Sequence, residues 1–110
     1  MRRMTNATAF APGRVEILGN HTDYNGGVVL SAALQLGVTA TGCRLANGEV
    51  QLGSGDMGAM VTLNRTEGLK PRCDWTDYPL GVAEMLARAG AEVGGFAVQF
   101  ETTLPSGAGL

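Results

Sequence analysis

The sequence predicts a mixed chain of strands and one helix, with strands predominating, and three observations support this. Short apolar runs are set apart by glycine, seventeen of them in 110 residues. The pair Asn47-Gly48 is the strongest short hairpin signal, because both residues accept positive φ. Only residues 75–89 repeat their apolar positions at helical spacing. A chain of this length buries roughly 65% of its unfolded surface, enough for one modest core, so one domain is expected.

Residues 8–12 and 14–18 read as strand pieces, and 27–30 as another. Residues 36–45, rich in Val and Thr, read as a longer strand. After the Asn47-Gly48 turn, residues 49–52 and 59–63 continue an antiparallel meander, with Gly53-Ser54-Gly55-Asp56 as the loop between them. In the helix over 75–89, Asp74 or Thr76 is the cap, and Gly90 is the stop. Its apolar positions are Leu80, Val82, Ala83, Leu86 and Ala87. Phe96, Val98 and Phe100 alternate with Ala97, Gln99 and Glu101, the pattern of a half-buried strand. That strand runs into Leu104-Pro105-Ser106-Gly107-Ala108-Gly109-Leu110, a glycine-rich turn of the kind that opens a phosphate-binding loop.

Composition excludes several partners. The formal charge is -2 and the eight Lys and Arg form no basic stripe, which argues against nucleic acid. The most apolar stretch, residues 28–40, is short and carries Ser31, Gln35 and Thr39, so no membrane span is expected. The start of the chain lacks the hydrophobic region of a signal peptide. Cys43 and Cys73 lie far apart with no neighbouring Cys or His pattern and read as reduced thiols of a cytoplasmic protein, with no metal site.

Residues 13–27 carry the most chemistry. The apolar Val15, Ile17 and Leu18 precede Gly19, and Gly26-Gly27 closes a polar segment of Asn20, His21, Thr22, Asp23, Tyr24 and Asn25. This is the composition of a polyol-binding loop at the end of a strand. An ionised Asp accepts from two vicinal hydroxyls at once through charge-assisted bonds, which suits Asp23. His21 donates to or accepts from a further hydroxyl, and the Thr22 backbone and Tyr24 phenol are suited to orient the loop. Each residue also has a plain structural reading. His21 fits as a satisfied structural residue, Arg14 as an ion pair with Glu16 or another surface acid, Trp75 and Tyr78 as core anchors, and 104–110 as an ordinary turn.

The segment Ala11-Pro12-Gly13-Arg14-Val15-Glu16-Ile17-Leu18-Gly19-Asn20-His21-Thr22-Asp23-Tyr24-Asn25-Gly26-Gly27 resembles the galactokinase signature, G-R-V-N-[LI]-[IL]-G-E-H-T-D-Y-N-x-G. Residues 104–110 resemble the opening of the second motif of the GHMP kinase superfamily. The resemblance implies an α+β fold, the ribosomal-protein-S5-like N-terminal domain of these kinases, with a mostly antiparallel sheet and helices on one side. It implies phosphorylation of the anomeric hydroxyl of galactose by ATP with Mg²⁺. By the same resemblance Arg14 stabilises the transition state, and Asn20, His21, Thr22 and Asp23 hold the sugar. Gly107, Ala108, Gly109 and Leu110 begin the nucleotide loop, with Trp75 and Tyr78 near the adenine.

Two departures from the family pattern matter. Asn20 stands where the family usually has Glu, and an uncharged amide makes a weaker bond to the same hydroxyl than a carboxylate does. The chain also stops at Leu110, before the helix whose free N–H groups complete a phosphate site. The Mg²⁺ ligands and catalytic base are expected beyond that point. Residues 1–110 thus read as the N-terminal part of a longer kinase, without its C-terminal domain and inactive alone. Kinases for N-acetylgalactosamine or arabinose, and a non-catalytic galactose and ATP sensor, are the alternative readings. The sequence assigns no oligomeric state.

Overall fold

The computed structural model describes residues 5–110 apart from Asn20 and Asp56. The strands are β1 (Ala7–Leu18), β2 (Leu30–Leu45), β3 (Glu49–Ser54), β4 (Val61–Asn64) and β5 (Gly95–Thr102), with α1 (Asp77–Arg88) between β4 and β5. They form a five-stranded sheet in the order β1-β2-β5-β3-β4. Every neighbouring pair is antiparallel except β3 and β5, which are parallel. The expected α+β class holds, with one parallel pair inside the mostly antiparallel sheet.

The Asn47-Gly48 signal requires correction. The chain does reverse there, but β2 and β3 do not pair, because β5 lies between them. Neighbouring strands are about 4.8 Å apart, so the connection spans roughly 10 Å across one intervening strand. Gly95, at the start of β5, makes the crossing feasible. A Cβ there would lie 2.8 Å from the Glu49 carbonyl oxygen and 2.9 Å from Gly48 Cα. A turn signal specifies reversal of the chain and leaves open which strand fills the ladder beside it. Here the apolar face of β5 wins, with Phe96 beside Val50 and Val98 beside Leu52. The β3–β4 half of the expected meander does form.

The strand pieces at 8–12 and 14–18 prove to be one strand whose register shifts at the expected break. Pro12 faces Gly37 and Arg14 faces Ala33, so residues 34–36 of β2 bulge opposite Gly13. Pro12 is tolerated because β1 is an edge strand, where a missing donor costs little. The run read as 36–45 extends back to Leu30, whereas residues 27–29 lie outside any strand. Gly53 and Ser54 belong to β3 rather than to a loop, and Asp56 lies outside the described residues.

The core sits under β3. Val50 and Leu52 are fully buried and pack with Leu80 of α1, while Leu63, Leu69, Trp75, Phe96, Val98 and Phe100 surround them. The helix is shorter than 75–89, and its buried line is Leu80 and Ala83. Val82 and Leu86, also read as apolar-face positions, are exposed. Asp74 does the capping work before α1. Its carboxylate accepts from the Thr76 amide at 2.9 Å and from the hydroxyl of Thr76, a side chain that is fully buried.

The Thr76 hydroxyl and amide, with Arg72 beside them, hold the Asp74 carboxyl below the usual carboxylate range. The stability that this contact supplies is in place above the ordinary carboxylate pKa and is lost as pH falls through the lowered one. Asp77 accepts from the amides of Arg72 and Cys73 at 2.8 and 2.9 Å, which folds the preceding segment against the helix start. At the other end the Ala91 amide reaches the Leu86 carbonyl at 3.0 Å and closes the helix.

β5 pairs with β2 only from Val38 to Leu45. Beyond that, β1 and β2 continue as a two-stranded arm, and Val15, Ile17, Leu18, Leu30 and Leu36 on it are exposed. The elongated extents of 51 × 27 × 25 Å fit this arm. Among the described residues, no helix is long and apolar enough to cross a membrane.

Candidate functional site

The polar loop caps the arm. From Gly19 the chain leaves β1, passes through a single 3₁₀ turn at Asp23–Asn25 and re-enters the sheet at Leu30. Thr22 is the hub of this loop. Its amide donates to the Gly19 carbonyl at 3.0 Å, and its hydroxyl donates to the same carbonyl at 2.7 Å and toward that of Val28 at 3.1 Å. Its own carbonyl accepts from Asn25 at 3.2 Å and from Gly27 at 2.7 Å. A side chain at Gly27 would collide with Thr22, because a Cβ there would lie 2.6 Å from Thr22 Cβ. The hydroxyl of Thr22 thus faces the backbone of its own loop.

His21 stands at φ 71°, a left-handed conformation that costs a residue with a Cβ about 1 kcal/mol or more. The loop holds it there at both ends. The Asn25 amide donates to the His21 carbonyl at 2.7 Å, and the Tyr24 hydroxyl lies 2.7 Å from the imidazole Nδ1. His21 is exposed, so its ring is open to a ligand. Asn20 and the side chain of Asp23 lie outside the described residues.

Thr22→Val in the full-length protein tests the hub. Losing a net hydrogen bond of about 0.5–1.5 kcal/mol is expected to lower the exchange protection of the Gly27 amide by about two- to tenfold. Unchanged protection would mean that the loop is held by other contacts.

Arg14 lies in β1 four residues before the end of the strand and is exposed. Among the described residues the ion pairs are Arg72–Asp74 and Arg88–Glu84, so the alternative pairing of Arg14 with Glu16 does not form. The guanidinium is available to an incoming anion. The neighbouring Gly13 is buried, and a Cβ there would lie 2.5 Å from Leu104 Cδ2. The absence of a side chain at position 13 lets the second motif dock on the first.

Thr103 adds a second tie. Its hydroxyl accepts from the Gly37 amide at 3.0 Å, and its amide donates to the Gly37 carbonyl at 3.0 Å. Gly37 is the partner of Pro12 in the ladder. The two segments singled out in the sequence, some ninety residues apart, therefore meet where β2 bulges opposite Gly13. The sequence carries no signal for this contact, since Leu104 reads there only as the start of a glycine-rich turn after the strand.

Gly107, Ala108, Gly109 and Leu110 are exposed and follow β5 without regular structure. Gly107 and Gly109 have φ of 71° and 70°. Alternating left-handed glycines turn successive amides toward one side, an arrangement suited to an anion. Trp75 and Tyr78 do not behave alike. The Trp75 ring meets Phe100 edge-on at 6.2 Å and packs on the core, whereas Tyr78 is 82% exposed. Among the described residues no three His, Cys, Asp or Glu side chains converge as a metal site.

Comparison with known proteins places this geometry. A family model described as the galactokinase galactose-binding signature matches residues 2–44. The galactokinase of Streptomyces coelicolor is 44% identical over 102 residues, covering 91% of this chain and 26% of the relative. That of Halalkalibacterium halodurans is 37% identical over 110 residues, covering 98% and 28%. Lactococcus lactis galactokinase, solved in complex with galactose, superposes with a TM-score of 0.82 at 30% identity, covering 92% of this chain and 27% of that one. Methanococcus jannaschii mevalonate kinase shares the fold, with a TM-score of 0.79 at 22% identity over 96% of this chain and 35% of its own. The chain spans little more than a quarter of the length of these galactokinases. With the signature on its arm and the second motif docked beside it, this chain belongs to the galactokinase family of GHMP kinases.

Proposed function

We propose that residues 1–110 form the N-terminal part of the N-terminal domain of a cytoplasmic galactokinase. The full-length protein would transfer the terminal phosphoryl group of ATP to the anomeric hydroxyl of galactose. The observation that carries this reading is the docking of Leu104, which opens the second motif, on Gly13 of β1, next to Arg14 and on the strand that leads into the signature loop. A sugar site and a phosphate site must be adjacent for direct transfer, and the Gly13–Leu104 contact supports this reading by bringing the start of the second motif to the strand that carries Arg14. The galactose complex of the Lactococcus lactis relative supports galactose as the sugar.

In this reading His21 and Asp23 hold sugar hydroxyls, Asn20 makes a weaker contact than the usual glutamate, and Thr22 keeps the loop closed around them. Arg14 offsets negative charge on the group in flight. Such positioning and charge stabilisation account for most of the catalysis in phosphoryl transfer. The residues present fit one end of a nucleotide: the exposed amides around Gly107, Ala108, Gly109 and Leu110 suit phosphate oxygens. Trp75 acts as a core anchor against Phe100, and the exposed Tyr78 is the better placed of the two to touch a base. Bound ATP supplies the phosphoryl group and Mg²⁺ neutralises its charge. The Mg²⁺ ligands and the base for the hydroxyl proton are assigned to residues beyond Leu110.

The test is to express the full-length protein and follow ADP release with ATP, Mg²⁺ and each of galactose, N-acetylgalactosamine and arabinose. Galactose 1-phosphate as the dominant product is expected. A clear preference for another sugar, or galactose binding without turnover, would replace this reading with the rival kinase or the sensor.

A further inference from the structure

We propose that Asn25 is a positioning residue for sugar recognition: its side-chain amide holds the His21 backbone in the left-handed conformation that presents the imidazole to the sugar. The proposal rests on the galactokinase reading above and adds to it a residue and a reason for an unfavourable backbone angle. Asn25 Nδ2 lies 2.7 Å from the His21 carbonyl oxygen, and His21 stands at φ 71°. A carbonyl oxygen can only accept, so the NH₂ group of Asn25 is the donor.

The local turn explains why such a hold is needed. The Thr22 amide donates to the Gly19 carbonyl at 3.0 Å, which makes His21 the third residue of a four-residue turn. Turns with positive φ at that place favour glycine or asparagine there. Strain of this kind persists only where the surroundings over-determine it, and it clusters at active sites and ligand clamps. The cost of one left-handed residue and the net worth of one hydrogen bond are of similar size, so a single bond to the His21 carbonyl is enough to set the balance.

The closure of the loop does not depend on the Asn25 side chain. Thr22 closes it, taking the Asn25 and Gly27 amides on its carbonyl and giving its hydroxyl to the Gly19 and Val28 carbonyls. Asn25 is exposed, so its side chain fills no core. Removing its donor is therefore expected to free the His21 peptide while the loop stays closed.

Asn25→Asp in the full-length protein keeps the shape of the side chain and removes its donors, and Asn25→Ala removes the side chain beyond Cβ. Both are expected to raise the KM for galactose about two- to tenfold, the range set by one net hydrogen bond, while kcat stays within about twofold and the melting temperature holds. In a His21→Ala background, where no ring remains to be placed, Asn25→Ala is expected to change KM by less than about twofold. The conformation itself is read in protein labelled with ¹⁵N-histidine, the His21 amide being assigned by its loss in His21→Asn. A strong Overhauser effect between the His21 amide proton and its own Hα marks positive φ; it is expected in the parent and weakened in both Asn25 variants. This readout needs no turnover.

An unchanged KM overturns the proposal, as does an equal rise in KM with and without the His21 ring. A fall in kcat with KM unmoved, a lowered melting temperature, or an Overhauser effect unchanged by both substitutions also overturns it. If the parent protein does not phosphorylate galactose, the galactokinase reading fails and takes the sugar role of Asn25 with it. The spectra of parent and variants then still decide whether Asn25 holds the His21 backbone.

Discussion

Replacing Arg14 with alanine in the full-length protein is expected to lower kcat for galactose phosphorylation by about 10²–10³-fold and to leave the KM for galactose nearly unchanged. The magnitude is that of removing one preorganised charge donor from the group in flight. The structure supplies the reasons to expect a kinetic effect rather than a structural one. Arg14 is exposed, takes part in neither ion pair found among the described residues, and sits on an arm whose ladder is formed by backbone bonds. Its loss should not unfold the strand. Arg14→Lys is expected to recover only part of the rate, because a point charge does not reproduce the planar fork of donors. Steady-state kinetics of both variants, with a melting curve for each, provide the check. A rise in KM alone would make Arg14 a binding residue, and a lowered melting temperature would make it a structural one.

Leu52→Ala is expected to destabilise the domain by about 2–5 kcal/mol, the cost of an unrelaxed cavity at a fully buried position. Leu52 is 0% exposed, lies on the strand between β5 and β4, and packs with Val50 and Leu80. Domains of this size hold about 5–15 kcal/mol in all, so the loss is a large share of the total. Leu52→Met conserves volume and is expected to cost less than about 1.5 kcal/mol. Denaturant or thermal unfolding of the two variants of the full-length protein decides between a tightly filled core and one that can collapse. Equal stability of the alanine and methionine variants would place the weight of the core elsewhere, with Phe96, Val98 and Phe100 the next positions to truncate.

Local chemistry was readable in the sequence wherever a residue's neighbours along the chain determine its environment. The alternation of Phe96, Val98 and Phe100 gave a half-buried strand because the period of two is a local property. The break between Pro12 and Arg14 marked a real irregularity, although it proved to be a bulge within one strand. What the sequence hid was pairing between distant segments. Nothing in Asn47-Gly48 announces that β5 will separate β2 from β3, since that outcome depends on the bare edge of Gly95 and on apolar faces far along the chain.

The site divides in the same way. The loop at 19–27 was legible from its side chains, and the structure adds how Thr22, Tyr24 and Asn25 hold it. The docking of Leu104 on Gly13 was not legible, because the only trace it leaves in the sequence is the absence of a side chain. Val82 and Leu86 show the converse limit. Helical spacing put them on the apolar face, but in α1 Leu80 and Ala83 are the buried positions, Ala87 is half-buried, and Val82 and Leu86 are exposed.

The insertion of β5 between β2 and β3 bears on how the chain is made. β1–β2 and β3–β4 are each local hairpins and can pair as soon as they leave the ribosome, but an isolated two-stranded ribbon is marginally stable at best. Until residues 95–102 have emerged, β2 and β3 each present an unfilled edge, and Val50 and Leu52 lack the strand that shields them. At synthesis rates of about 5–20 residues per second this gap lasts on the order of seconds, long compared with the microseconds of hairpin formation. During that interval the nascent chain offers two open edges of suitable chemistry to one another and to neighbouring chains, and β5 must compete with both for its place in the middle of the sheet.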